Sequence, residues 1–278
     1  MSLLTAMMIS MLAYAMPPDA APKAEVTLVA DADAFVAGEP MIVGLRFELR
    51  PTWHVYWKNP GDAGLPPRVE WHLPEGFTAG ELQFPVPKTF ESAGSLGYGY
   101  SNAVTFLATI TPPSELPDDP VTIGATVKYL VCDPNVCLPE QAEATATLRT
   151  DEPTERNRLA DAKSKLPEDA GSAGFSIDGK PGSGVAELSW VDRQRGVASE
   201  IDVQILPAPE NNLLVTSIET GELKRNLMNG EHTLPIVVVA SKIGPLSGSS
   251  LEVLLVWTDA DGVTKHYELD LPYRLILE

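Results

Sequence analysis

The stretch VTIGATVKYLVCDPNVCLPEQAEATATL, residues 121–148, decides the fold. Over Val121–Val131 the side chains of Val121, Ile123, Ala125, Val127 and Tyr129 recur at every second position. That is the period of a strand with one buried face. Asp133, Pro134 and Asn135 follow, a run of strong turn formers. A second apolar-alternating segment leaves Cys137, and Ala142–Leu148 continues it. The stretch predicts an antiparallel hairpin with Cys132 and Cys137 facing each other across its mouth, near enough to form a disulfide.

The same grammar extends in both directions. Short β-type segments at Ala24–Ala30, Met41–Leu49, Arg68–Leu73 and Val104–Ile110 are separated by turns such as Asn59-Pro60-Gly61-Asp62 and Leu116-Pro117-Asp118-Asp119-Pro120. Short strands and frequent turns predict an antiparallel sandwich. Residues 151–170 change character: they are strongly charged, and Leu159, Ala162 and Leu166 follow a helical spacing that Pro167 stops. Strand patterns return at Val185–Trp190, Ser199–Leu206, Leu213–Ile218, Thr233–Ala240 and Leu251–Trp257. Asp259-Ala260-Asp261-Gly262 then turns the chain into Thr264–Leu271, a hairpin signal. The expected architecture is all-β, with two β-sandwich domains at 25–150 and 171–278 joined by a short linker helix at 151–170.

Composition narrows the function. The 278 residues include 25 prolines and 21 glycines, which disfavour long helices. The net charge is −18. It is spread evenly, with 21 acidic and 12 basic side chains in residues 151–278 and 17 and 8 in the remainder. An evenly acidic surface argues against nucleic acid and anionic membranes as partners. Leu3–Ala15, LLTAMMISMLAYA, is an apolar run of signal-peptide length ending in the small-x-small pattern Ala13-Tyr14-Ala15. Its n-region lacks Lys and Arg. Residues 1–15 are therefore expected to be a signal peptide and 16–24 a flexible lead-in. After cleavage the remainder would be periplasmic or secreted, with no membrane span. Walker, Gly-x-Ser-x-Gly and His-Glu-x-x-His motifs are absent from the sequence. No cofactor or metal is expected. His54 and His72 could join the cysteines in a soft-metal site only if the fold gathered them.

The two cysteines are the chemical signal. Closing a six-residue loop removes only about 2 kcal/mol of unfolded-state entropy. The spacing is not Cys-x-x-Cys, and no Lys or Arg lies between the two residues. Asp133 would raise a neighbouring thiol pKa. A couple attacked by a partner's thiolate therefore fits better than one poised to attack. Physical chemistry alone leaves a structural staple and an exchangeable couple both open.

Four blocks then occur in order: Trp53-His54-Val55-Tyr56-Trp57-Lys58-Asn59-Pro60-Gly61-Asp62-Ala63-Gly64-Leu65-Pro66, Gly80-Glu81-Leu82-Gln83-Phe84-Pro85-Val86-Pro87, Gly97-Tyr98-Gly99-Tyr100, and Tyr129-Leu130-Val131-Cys132 through Cys137-Leu138-Pro139-Glu140. Together they resemble the N-terminal periplasmic domain of the DsbD disulfide reductase family, in the form of its ScsB-like, suppressor-of-copper-sensitivity branch. Residues 172–278 are compatible with the extra β-domain of that branch.

The resemblance implies an immunoglobulin-like domain in which Cys132 and Cys137 shuttle between dithiol and disulfide. It implies transfer of reducing equivalents to periplasmic thioredoxin-fold proteins, as a component of a protein-disulfide reductase. By the same analogy Cys137 is the sulfur joined to the partner and Cys132 the one that resolves it. Full-length relatives continue into a membrane relay and a thioredoxin module. The chain read to Glu278 contains neither, so a separate membrane electron carrier is expected. Two groups of residues are candidates to cap or flank the sulfurs: Trp57, Asn59 and Asp62 in a loop over Trp57–Leu65, and Tyr98 and Tyr100 in the Gly-Tyr-Gly-Tyr block. For the aromatic rings, burial in the core is the competing expectation. The competing functions are a non-redox secreted β-sandwich adaptor with a structural disulfide, and copper handling through the thiols.

Overall fold

The computed structural model describes residues 21–61, 64–92, 95–179, 181–191, 213–226, 231–242, 249–258 and 263–276. The expected signal peptide, most of the lead-in, the expected strand Ser199–Leu206, the turn at 259–262 and Asp62 lie outside the described residues.

The first part of the chain is built from ten strands: β1 (Ala24–Ala30), β2 (Met41–Leu49), β3 (His54–Gly61), β4 (Arg68–His72), β5 (Thr78–Ala79), β6 (Lys88–Ser92), β7 (Ser95–Ser101), β8 (Ala103–Thr111), β9 (Val121–Cys132) and β10 (Cys137–Leu148). They form two sheets. One has the order β1-β2-β8-β5, and the other β10-β9-β3-β7-β6 with β4 also paired to β9. All of these pairings are antiparallel.

The two sheets lie face to face because their strands bury alternate side chains. In β1, Ala24, Val26, Leu28 and Ala30 point inward. In β9, Val121, Ile123, Ala125, Val127, Tyr129 and Val131 do so. Phe47 on β2 meets Phe106 on β8 edge to face at 5.2 Å and Tyr129 on the opposite sheet at 5.1 Å, so aromatic contacts join the layers.

The linker carries less helix than its pattern predicts. The helix α1 spans only Ala160–Lys163, although Leu159, Ala162 and Leu166 share the apolar side as expected and pack on Leu107 of β8. Its first turn has no side-chain cap of its own. Instead the Leu159 N–H donates to Asp31 Oδ1 at 2.8 Å, and Lys163 Nζ donates to Asp31 Oδ2 at 2.9 Å. Tertiary contacts, not intrinsic helix strength, hold this segment.

The second part contains β11 (Glu168–Asp169), β12 (Ser176–Gly179), β13 (Val185–Val191), β14 (Leu213–Thr220), β15 (Lys224–Asn226), β16 (Glu231–Lys242), β17 (Ser250–Thr258), β18 (Thr264–Pro272) and a terminal helical turn α2 (Tyr273–Ile276). One sheet runs β11-β18-β17 and another β12-β13-β16-β14, with β15 also on β16. Phe175, Trp190, Leu188, Ile236, Leu251 and Leu271 belong to a separate apolar cluster between them. Leu254 of β17, however, joins the core of the first part. Lys58 on β3 bridges to Glu252 on β17 and, at 2.8 Å, to Glu268 on β18.

The close approach of β3 to β7 depends on Gly99. A Cβ there would lie 2.1 Å from the Val55 carbonyl oxygen, a backbone atom that cannot swing aside. Gly99→Ala should destabilise the protein by about 1–3 kcal/mol, measured as a lowered urea midpoint. The control is Gly80→Ala, whose Cβ would meet nothing nearer than 3.7 Å. It should move the midpoint far less.

Candidate functional site

The site begins with a ladder. From Val121↔Leu148 to Cys132↔Cys137, β9 and β10 stay in register without a break. Asp133 closes the end. Its N–H donates to the Val136 carbonyl at 2.9 Å, and its Oδ1 accepts from the N–H groups of Asn135 at 2.7 Å and Val136 at 2.9 Å. A short carboxylate that binds backbone two and three residues on is the standard chemistry of an Asx turn. The two cysteines are left directly opposite, their Cα atoms 4.1 Å apart, and joined in a disulfide. Their surroundings differ. Cys132 is 1% exposed, whereas Cys137 is exposed at the hairpin rim.

β3 supplies the wall on the other side. His54 pairs with Cys132 and Val55 with Val131. Alternation then divides the strand. Val55 and Trp57 enter the hydrophobic core, while His54 and Tyr56 face the sulfurs. Tyr56 Oη donates to Cys132 Sγ at 3.1 Å and lies 3.9 Å from Cys137 Sγ. His54 Nε2 is 3.4 Å from the same hydroxyl. Phe90 of β6 covers the pair, its ring 4.0 Å from the His54 ring and 5.7 Å from Tyr56, centroid to centroid.

Burial sets the electrostatics. Desolvation holds the His54 imidazole below its ordinary 6.5, opposed by the Asp133 carboxylate. Desolvation also pushes the Tyr56 phenol up, so it stays protonated and able to donate.

Four of the five expected flanking residues are described. Trp57 is 2% exposed within the core. Asn59 is buried, its Oδ1 accepting from the Gly61 N–H at 2.9 Å. Tyr98 is half-buried against the core. Tyr100 is buried, donates to the Pro85 carbonyl at 2.6 Å and stacks edge-on with Phe106, and it also lines the crevice that His54 and Phe90 border. The Gly-Tyr-Gly-Tyr block matters through its glycines. Gly97 lies against the Phe90 ring and Gly99 against the β3 backbone. His72 bonds Thr126 at 2.7 Å and pairs opposite Gly124, towards the other end of β9 from the sulfurs. Among the described residues, Tyr56 touches the sulfurs, His54 touches Tyr56, and Phe90 covers both rings. For the first two, the signal was the alternation His54-Val55-Tyr56-Trp57, read as an aromatic crowd and not as a strand with two faces. Phe90 carries no comparable signal.

A β-sandwich that carries a disulfide across the mouth of a hairpin, one cysteine buried and the other at the rim, leaves one sulfur within reach of a partner's thiol. Residues 25–149 match the family described as "Thiol:disulfide interchange protein DsbD, N-terminal". The fold is similar to the crystal structure of the N-terminal periplasmic domain of ScsB from Proteus mirabilis. The TM-score is 0.54 at 20% identity, covering 93% of this chain and 96% of that one. Two further structures align weakly and carry no weight. The YadV chaperone has a TM-score of 0.23 at 12% identity, covering 88% of this chain and 99% of that one. The major pilin subunit BcpA of Bacillus cereus has a TM-score of 0.28 at 8% identity, covering 89% and 66%. Among curated proteins, none matches.

Phe90→Ala removes the ring over His54 and Tyr56 and should speed reduction of the disulfide by dithiothreitol several-fold, read by thiol titration against time. The imidazoles of His54 and His266 are both held below 6.5 by burial. The unfolded chain therefore binds more protons as pH falls through 6.5, and stability falls with it. His54→Gln should remove only the His54 part of that loss, measured as melting temperature against pH.

Proposed function

We propose that the chain is a periplasmic thiol–disulfide interchange module that exchanges electrons with thioredoxin-fold proteins through the Cys132/Cys137 couple. The observation that carries this reading is the unequal exposure of two sulfur-bearing residues in one disulfide. A partner's sulfur can approach Cys137 at the rim, while Cys132 sits behind it against Tyr56. Cys137 is thus the sulfur that joins the partner, and Cys132 resolves the mixed disulfide. In the reducing direction the Cys137 thiolate attacks a partner disulfide and one partner thiolate leaves. Cys132 then attacks Cys137 and the second partner sulfur leaves, so two electrons pass to the partner.

A structural staple fits less well. The bond closes a loop of six residues at the end of a hairpin already held by an unbroken ladder, where a cross-link contributes about 2 kcal/mol on the chain-entropy model. The rim supports docking. Val136 beside Cys137 is exposed and apolar, as are Leu96, whose carbonyl approaches Gly61, and Leu65, next to the Gly64 that lies against the Tyr56 ring. The periplasmic setting is supported by the N-terminal apolar run and by the likeness to the ScsB domain. Among the described residues no helix is long and apolar enough to cross a membrane. The electron source in this reading is a separate membrane carrier. The redox domain occupies residues 25–150, the linker 151–170 and a second β-domain 171–278.

The test is trapping. Cys132→Ala, expressed in an envelope with thioredoxin-fold proteins, should accumulate a covalent complex through Cys137 that dithiothreitol dissolves. Cys137→Ala should give little. A reduction potential below about −300 mV, with no trapped species, would favour the staple.

A further inference from the structure

Cys132 poses a proton problem. To resolve a mixed disulfide it must lose its thiol proton, yet the residue is 1% exposed. A buried thiol holds that proton more tightly than one in water. Among the described residues, a hydrogen-bonding path leads outward. Cys132 Sγ is 3.1 Å from Tyr56 Oη, and Tyr56 Oη is 3.4 Å from His54 Nε2. Exposure rises along it, from 1% at Cys132 through 4% at Tyr56 to 9% at His54. His54 then lines an open crevice with Phe90, Glu91, Lys88 and Pro134.

Two carboxylates on β10 and its turn are already engaged, while Glu91 lines the crevice beyond His54 and, among the described residues, is not bonded to Tyr56 or the sulfurs. Asp133 Oδ1 accepts two backbone N–H groups, and Glu140 binds the Lys23 N–H and the Tyr129 hydroxyl.

Resting on the exchange function proposed above, we infer that His54, acting through Tyr56, takes the proton from Cys132 as that sulfur resolves the mixed disulfide. Tyr56 is the group that touches the reacting sulfur, and His54 is a positioning residue behind it. In the resolving step the Cys132 S–H donates to Tyr56 Oη while the Tyr56 O–H donates to a neutral His54 at Nε2. The proton of each passes one place along. The electron pair left on Cys132 Sγ attacks Cys137 Sγ, the intramolecular disulfide forms, and the partner leaves as a thiolate. The imidazolium so formed faces Asp133 and sheds its proton to the crevice. Desolvation keeps His54 neutral at neutral pH and Asp133 steadies its charged form, the two demands on a base of this kind. The 3.4 Å separation belongs to the oxidised state, in which Tyr56 donates to a disulfide sulfur. Such bonds tighten when the reacting state is reached.

Among the described residues, the charged and titratable groups around His54 are Tyr56 on its own strand, Asp133 on the hairpin turn, Lys88 and Glu91 on β6, and Tyr100 on β7. The test follows the fully reduced chain reacting with the chromogenic disulfide dithiobis-nitrobenzoate by stopped flow. Attack by Cys137 releases one thionitrobenzoate, and resolution by Cys132 releases a second. In the wild type the second phase should rise with pH through an inflection below 6.5 and then level. His54→Gln and Tyr56→Phe should each lose that inflection and slow the second phase by about tenfold or more at neutral pH, with the first phase unchanged. His54→Asn provides a second variant, and melting curves identify any that fail to fold. The inference is overturned if folded His54 variants keep the inflection and the rate, or slow both phases equally. It is also overturned if Tyr56→Phe alone is impaired. Failure of the exchange function looks different: no partner is trapped through Cys137 and the reduction potential lies below the reach of cellular couples, whatever the two phases show.

Discussion

Asp133 governs the site. Its side chain satisfies the backbone N–H groups of Asn135 and Val136 and its own N–H binds Val136, so the β9–β10 ladder ends in one defined register. A slip of one residue would move every inward side chain of β9 to the opposite face. That would drive Ile123, Val127 and Val131 out of the core. The positions of the two sulfurs are therefore fixed by turn chemistry and apolar burial, not by the bond between them. Such a frame lets the sulfur–sulfur link open and close without asking the fold to change. A cross-link whose removal left the cysteines free to separate could not serve as a reversible couple.

β3 turns this frame into a chemical environment. Because its side chains alternate, one short segment anchors the core through Val55 and Trp57 and presents His54 and Tyr56 to the sulfurs. The two tasks are linked: the better Trp57 is packed, the less freedom Tyr56 has to leave Cys132. The cover is built differently. Phe90 stands on β6, whose strand is brought over β3 by β7, and β7 approaches β3 closely because Gly99 has no Cβ. The environment of Cys132 thus depends on three strands distant in sequence, and only the hairpin itself is local.

That distinction explains what could be read in advance. The hairpin, its turn and the pairing of the cysteines were legible because all their determinants lie within residues 121–148. The all-β class was legible from the period-two pattern and the turns. The role of β3 was not. Asn59-Pro60-Gly61 looks like turn chemistry, yet the strand runs through it to Gly61 with an irregular register against β7. Phe90 could not be found because nothing in Lys88–Ser92 marks a residue whose neighbours are set by β7. Tyr98 and Tyr100 depend on neighbouring strands in the same way. Their glycine neighbours carry the geometry, while Tyr100 spends its hydroxyl on Pro85. The linker helix was overestimated because its three apolar residues reflect packing on Leu107, which a single turn satisfies.

The attachment of the second part also follows from relative magnitudes. Lys58, two positions beyond Tyr56, bridges to Glu252 and Glu268, and its ammonium lies 5.2 Å from the Trp57 ring centroid. The three charged side chains are 22–38% exposed, so solvent screening leaves these pairs worth little, about 0–1 kcal/mol each. Ion pairs of that strength select an orientation but do not hold one. The stronger tie is apolar. Leu254 is 2% exposed and belongs to the same cluster as Trp57 and Val55. Full burial of such a side chain contributes roughly 1.5–3 kcal/mol. The linker adds the Asp31 contacts to Leu159 and Lys163. β17 therefore meets the first part as an extension of its core, beside the strand that carries His54 and Tyr56. A change in how β17 seats would reach the sulfurs by way of Trp57 packing before it was felt through the charges at the surface.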